Sequence, residues 1–183
     1  YYKYSPQKHK DVTKATGEIW GKAQTDWLLD GLKRSTAPVK LIANGAQVIT
    51  RSTGGEGHRR EAQNELKRLI AHIEKHRIDG VIFLSGDRHY SELHYEARDG
   101  HPPLLEFTSS PLQQNQKVAP LKNRPNAFRL WGLNGNSYGL VTVDIPEPGQ
   151  GTVRLEVRTE ANTVPVVGNT RCSSAWQLSD LRY

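Results

Sequence analysis

The chain has 183 residues, 36% hydrophobic and 24% charged, enough apolar material for one globular domain with its own core. No run approaches the roughly 18 apolar residues of a membrane span, and no charged-then-apolar leader is visible. Lys and Arg number 25 against 19 Asp and Glu, a net charge of +6. These cations are scattered and form no stripe with aromatics, so a solvated surface or a guiding field for an anionic substrate is expected, and nucleic acid is not.

Residues 1–18 are polar and read as an arm. From Trp20 onward Trp20, Ala23, Trp27, Leu28 and Leu32 recur at helical spacing, and the run from Ser35 to Pro38 ends the helix. Residues 39–43 read as a strand broken by Asn44-Gly45, with 46–50 as a further extended piece. A glycine-rich loop, 51–57, carries Glu56 and leads to His58. The clearest helical stripe follows, in Ala62, Leu66, Leu69, Ile70 and Ile73. It feeds through Gly80 into Val81-Ile82-Phe83-Leu84, an unbroken apolar run that reads as a strand buried on both faces. Strand, helix, buried strand makes a βαβ unit with a parallel pair.

Beyond residue 90 the pattern turns to β. Residues 90–97 alternate, Asp99-Gly100 marks a turn, and 104–108 form another strand. Residues 110–136 read as a long polar loop, with Trp131, Asn134, Asn136 and Tyr138 either lining a pocket mouth or packing the loop down. Residues 139–145 and 152–158 form a hairpin with one dry and one wet face. Residues 159–183 show no period and are expected to wrap the surface. Cys172 is the only cysteine, which excludes an intrachain disulfide, and reads as a small buried residue.

The chemistry-bearing stretch is Ser85-Gly86-Asp87-Arg88-His89, at the carboxyl end of the buried run, where sites in α/β sheets gather. Asp87 and His89 combine an oxygen donor with an imidazole, a mixture suited to iron, zinc or manganese, or to calcium through oxygen alone. The further candidates are Asn44 and Gln47 after the preceding strand, and Glu56 and His58 in the loop. The structural alternatives are a turn for Asp87 and a hydrogen-bonded, partly buried imidazole for His89. His72 and His76 are expected on a solvated helix face, His94 on a wet strand face beside Glu92 and Glu96, and His101 in a turn.

Three motifs in order give these residues a family. The run 81–93, with its Gly-Asp-x-His core, resembles the signature of PhoD-like alkaline phosphatases of the calcineurin-like metallophosphatase superfamily. Gln24-Thr25-Asp26-Trp27-Leu28 resembles that family's Gln-x-x-Trp-Leu helix, and Ser35-Thr36-Ala37-Pro38-Val39-Lys40 its approach to the following strand. The resemblance covers about residues 17–145. It implies an α/β fold, part of a four-layer α/β/β/α sandwich of mixed sheets with helices outside.

It also implies metal-dependent hydrolysis of phosphate mono- or diesters. Two divalent or trivalent ions (calcium and iron, or zinc and manganese) would serve it, in an extracellular or periplasmic setting. Asp87 stands where related phosphatases have the first histidine of Gly-His-x-His, and His89 at the second. On this basis Asp87 and His89 are the expected catalytic residues. His89, Asp87, Asn44 and Gln47 are the expected metal ligands, and Asn44, Arg88 and His58 the substrate contacts. The family's aspartate-rich first half has no counterpart here. Residues 19–158 therefore correspond to the C-terminal half of a metallophosphatase domain, between the 1–18 arm and the 159–183 tail. An N-terminal segment or partner chain is expected to complete the site. The alternative is a non-catalytic domain of the same fold that binds a phosphorylated or anionic partner.

Overall fold

The computed structural model describes residues 18–51, 57–113 and 121–183. The first helix, α1 (Gly21–Arg34), lies where its periodicity predicts, but its buried side is different. Thr25 and Leu32 are buried, Leu28 and Leu29 pack against the core, and Trp27 is 71% exposed. The helix start sets this rotation. The backbone amides of Ile19, Trp20 and Gly21 donate to the Glu65 carboxylate at 2.8, 3.0 and 2.7 Å, and the Thr25 hydroxyl donates to it at 3.1 Å. A carboxylate from another helix thus takes the amides that a helix start leaves without partners. Thr25 must then face inward, and Trp27, about 200° further round at 3.6 residues per turn, faces solvent.

Strand β1 (Lys40–Ala43) leads through α2 (His58–Glu61) and α3 (Gln63–Lys75) to β2 (Val81–Ser85). β1 and β2 pair in parallel, Lys40 opposite Val81, so the βαβ unit forms as expected. The segment 46–50 does not form a strand. It makes one isolated bridge, Gln47 with Gly57, and its amides turn inward. Those of Val48, Ile49 and Thr50 donate to the Glu106 carboxylate at 2.7, 2.8 and 2.7 Å, as does the Thr50 hydroxyl at 2.8 Å. A buried carboxylate satisfies the donors that a strand would have placed in a ladder.

β2 also pairs in parallel with β4 (His101–Thr108), and β3 (Ser91–Arg98) runs antiparallel between β4 and β5 (Arg129–Leu133). The order is β1-β2-β4-β3-β5. One face presents Val81, Phe83 and Leu104 to Leu32, Leu66, Leu69 and Ile73 of α1 and α3. The other presents Ile82, Leu93, Leu105 and Phe107 to a second sheet, β10-β7-β6. That sheet contains β6 (Tyr138–Asp144), β7 (Thr152–Arg158) and β10 (Ser173–Gln177). Each large apolar side chain closed between layers contributes about 1.5–3 kcal/mol. The result is a mixed α/β fold with helices, a five-stranded sheet and a three-stranded sheet in successive layers.

Four expectations are corrected. The 110–136 loop contains β5, and Trp131 sits in the core between the sheets with its indole N–H on Ser174 Oγ at 2.9 Å. Asn136 and Tyr138 hydrogen-bond Glu160 and Asn162, so the end of that loop is packed down. His101 opens β4 and meets the Tyr183 ring edge-on, in place of a turn. Residues 159–183 form the short β8 (Val166–Val167) and β9 (Thr170–Arg171), then β10 and a 3-10 turn at Leu178–Leu181. They place Cys172, Leu178 and Leu181 in the core. His94, expected on a wet face, is fully buried with Glu92 and Glu106. Cys172 is buried as its composition suggested, and burial pushes its thiol pKa up.

Candidate functional site

Three parallel strands, β1, β2 and β4, end at the same edge, and hydrogen bonds tie their following loops together. Asn44 N–H continues the ladder to Leu84 O at 2.9 Å, and Gly86 N–H reaches Gly45 O at 3.3 Å. Ser109 N–H bonds Ser85 O at 2.9 Å, and His89 N–H bonds Ser110 Oγ at 3.2 Å. Asn44, Asp87 and His89 therefore share one edge of the five-stranded sheet.

Asp87 and His89 are both exposed and both left-handed, with φ of 63° and 57°. Apart from glycine, this region is entered most readily by Asn, Asp and His, at a cost of about 1–2 kcal/mol per residue. Two such residues around one buried arginine make a tight turn that leaves both the Asp87 and His89 side chains exposed. Strain of this kind concentrates at functional sites.

The buried arginine is Arg88. Its guanidinium lies 5.5 Å from the centre of the Tyr90 ring, and its Nε donates to the Tyr90 hydroxyl at 3.3 Å. Arg124 and Arg129 flank the same ring at 5.1 and 6.0 Å, and Arg124 donates to the Arg88 carbonyl at 3.0 Å. Behind them, buried Glu92 accepts from Arg129 and from Gln47 Nε2, the latter at 2.7 Å. Gln47 Nε2 also donates to Thr108 Oγ1 at 2.9 Å. This layer of Tyr90, Glu92, Thr108, Arg124 and Arg129 was not foreseen. One signal was available: Glu106 interrupts the apolar run Leu104-Leu105-Glu106-Phe107, which marks the polar residues on that face as buried.

The six expected site residues thus separate. Asp87 and His89 lie exposed at the edge. Asn44 is half-buried beside them, receiving the Trp20 indole N–H on Oδ1 at 3.1 Å and donating Nδ2 to Ala46 O at 2.7 Å. Its oxygen keeps one lone pair. Gln47 and Arg88 lie behind the edge, in the polar layer. His58, expected near substrate, is fully buried, with its ring 4.0 Å from that of Trp20 and its Nε2 3.5 Å from Glu65 Oε2. Glu56 lies outside the described residues.

Burial by itself would raise the Glu65 carboxyl. His58 and the amides of Ile19, Trp20 and Gly21 hold it down at about 2. At 3.5 Å the imidazole is too distant for a good hydrogen bond, so the amides carry most of this. Burial, opposed by Glu106, Glu96 and Glu92, pulls His94 below its usual value. Among the described residues no three His, Cys, Asp or Glu side chains group to hold a metal ion. The chain's donors at this edge are one carboxylate, one imidazole and one amide oxygen. Donors of these types would suit a hard or borderline cation.

Comparisons with known proteins bear on the fold and the family. No curated protein matches the chain. The solved structure titled "Structure of PhoD" matches with a TM-score of 0.66 and 19% identity over 94% of this chain. The chain spans 36% of that structure's length. The family model described as PhoD-like phosphatase matches residues 3–163. With most of its length inside that model, the chain belongs to the PhoD-like phosphatases.

Proposed function

We propose that this chain supplies one wall of a metal-dependent phosphoesterase site. The observation that carries the reading is the shared edge of Asn44, Asp87 and His89 beyond three parallel strands, with Asp87 and His89 exposed on left-handed backbone. Bound there, cations would draw charge from the phosphoryl oxygens and lower the pKa of water. His89 contributes a ring nitrogen, and its backbone N–H, donated to Ser110 Oγ, fixes where the side chain begins. Asp87 contributes negative charge, and Asn44 a carbonyl oxygen oriented by Trp20. Arg88 stiffens the turn through Tyr90, and Gln47 anchors the loop after Asn44 to Glu92.

Three donors leave a dinuclear shell incomplete. The remaining ligands would come from an N-terminal segment or a partner chain. The donor chemistry is compatible with calcium and iron, or with zinc and manganese. The substrate class is a phosphate mono- or diester, and family membership is consistent with a setting outside the cytoplasm. No helix among the described residues is long and apolar enough to cross a membrane.

The test is hydrolysis of p-nitrophenyl phosphate and its bis ester, with metal analysis, on the chain alone and with the completing segment. His89→Ala should lower turnover by at least about a thousandfold while circular dichroism stays unchanged. A variant that keeps its activity removes His89 from the ligands. Full activity and a full metal complement in the isolated chain would refute the incomplete shell.

A further inference from the structure

A second basic feature lies at the opposite end of the sheet, where β1 and β2 begin. There a cavity of about 350 Å³ opens between the end of α1, the approach to β1 and the connection from α3 to β2. This volume falls at the low end of the ~300–1,000 Å³ of small-molecule sites. Its lining includes apolar Leu32, Pro38 and Ile78 and four cations, Lys33, Lys40, Arg77 and Arg182. Asp79 is the one acid among the lining residues.

The plainer reading is that these cations neutralise helix ends, since α1 and α3 both point their C-termini here. Each such end carries roughly −0.5 charge. Both ends with Asp79 make about −2 against four cations, so roughly two positive charges remain. The Asp79 carboxylate also accepts the Tyr183 amide at 3.0 Å. Lys40 Nζ spends two donors on the carbonyls of Ala37 and Asp79, at 2.6 and 3.0 Å, and keeps a third. Arg77 is held 5.1 Å over the Tyr183 ring. No hydrogen bond or ion pair among the described residues occupies the Lys33 ammonium or the Arg182 guanidinium. The Ser35 and Thr36 hydroxyls lie on the rim. His76 is pushed below its usual value, by burial and then by His72, Lys33 and Lys75, so at neutral pH it adds a polar ring and no further charge.

We propose that this cavity binds a small diphosphate-class anion, at a site separate from the Asp87–His89 edge and independent of it. Point charges from Lys33 and Lys40 suit two adjoining phosphoryl groups, and Arg182, which also lines the cavity and whose guanidinium stands beside Gly149, adds a third cation.

The test is isothermal titration of the chain with inorganic pyrophosphate and with a nucleoside diphosphate, in EDTA and at fixed ionic strength. Both ligands should bind if the diphosphate group is what is recognised. Tighter binding of one identifies the source. Arg182→Ala and Lys33→Ala should each weaken binding about tenfold and the double variant about a hundredfold, with thermal unfolding unchanged. His89→Ala should leave the affinity unaltered. If the alanine variants unfold early, Arg182→Gln and Lys33→Gln replace them. Absence of binding, affinity that survives the double variant, or affinity lost in His89→Ala would overturn the proposal.

Discussion

Replacing Glu65 by Gln gives the sharpest test of how this fold is held together. The carboxylate is fully buried and accepts from three backbone amides and the Thr25 hydroxyl. Burial works against its charge, and the donors around it outweigh that, holding the carboxyl at about 2 against an ordinary 4.5. This difference corresponds to about 3 kcal/mol of stability. Because the folded value lies below the unfolded one, the contribution is complete above pH ~4.5 and fades as the pH falls toward ~2. Glutamine keeps the shape but turns an NH2 group toward donor amides. At pH 7 the variant should lose about 3 kcal/mol, a fall in Tm of about 6–12 °C for a chain of this size. Its stability should also decline less steeply between pH 4.5 and 2. Urea unfolding, followed by circular dichroism at pH 7 and at pH 3, measures both. A variant within about 0.5 kcal/mol of the parent at pH 7, with the same acid slope, would refute this account of the helix start.

Three further outcomes are expected. Gly80→Ala should destabilise by about 2–4 kcal/mol in the same unfolding assay, because a Cβ there would stand 1.9 Å from Pro38 O on backbone at φ +66°. Trp27→Ser should change stability by no more than about 0.5 kcal/mol, since the ring is 71% exposed. A large loss would return Trp27 to the core. Cys172 should resist Ellman's reagent in the native state and react stoichiometrically in urea, as its burial and raised thiol pKa require.

Local pattern was sufficient wherever one face of an element is apolar and the other wet. The stripe from Leu66 to Ile73, the buried run into Ser85, the pairing of β6 with β7 and the Asp87–His89 pair were all legible, because each is defined within a few residues. The dry face expected of that hairpin holds for β7 but not for β6, which is exposed on both faces except at half-buried Val141. The order of three motifs was sufficient to indicate the family. Local pattern failed where a polar residue is buried. Glu92 and His94 read as a wet strand face, Glu65 sits among the polar neighbours of its helix, and Glu106 alone interrupts an apolar run. Apart from near neighbours such as His58 for Glu65 and Glu96 for His94, their hydrogen-bond partners lie 32 to 58 residues away in the chain, and only packing brings them together.

The sequence by itself determined the βαβ core, the buried central strand and the turn that carries Asp87 and His89, since hydrophobic period and glycine placement act locally. Only the tertiary structure decided which side of α1 is buried, why 46–50 is not a strand, and why His58 and Gln47 lie behind the edge. The physical reason is the same in each case. A carboxylate taken out of water must collect donors from distant segments, and those segments then take the positions it dictates.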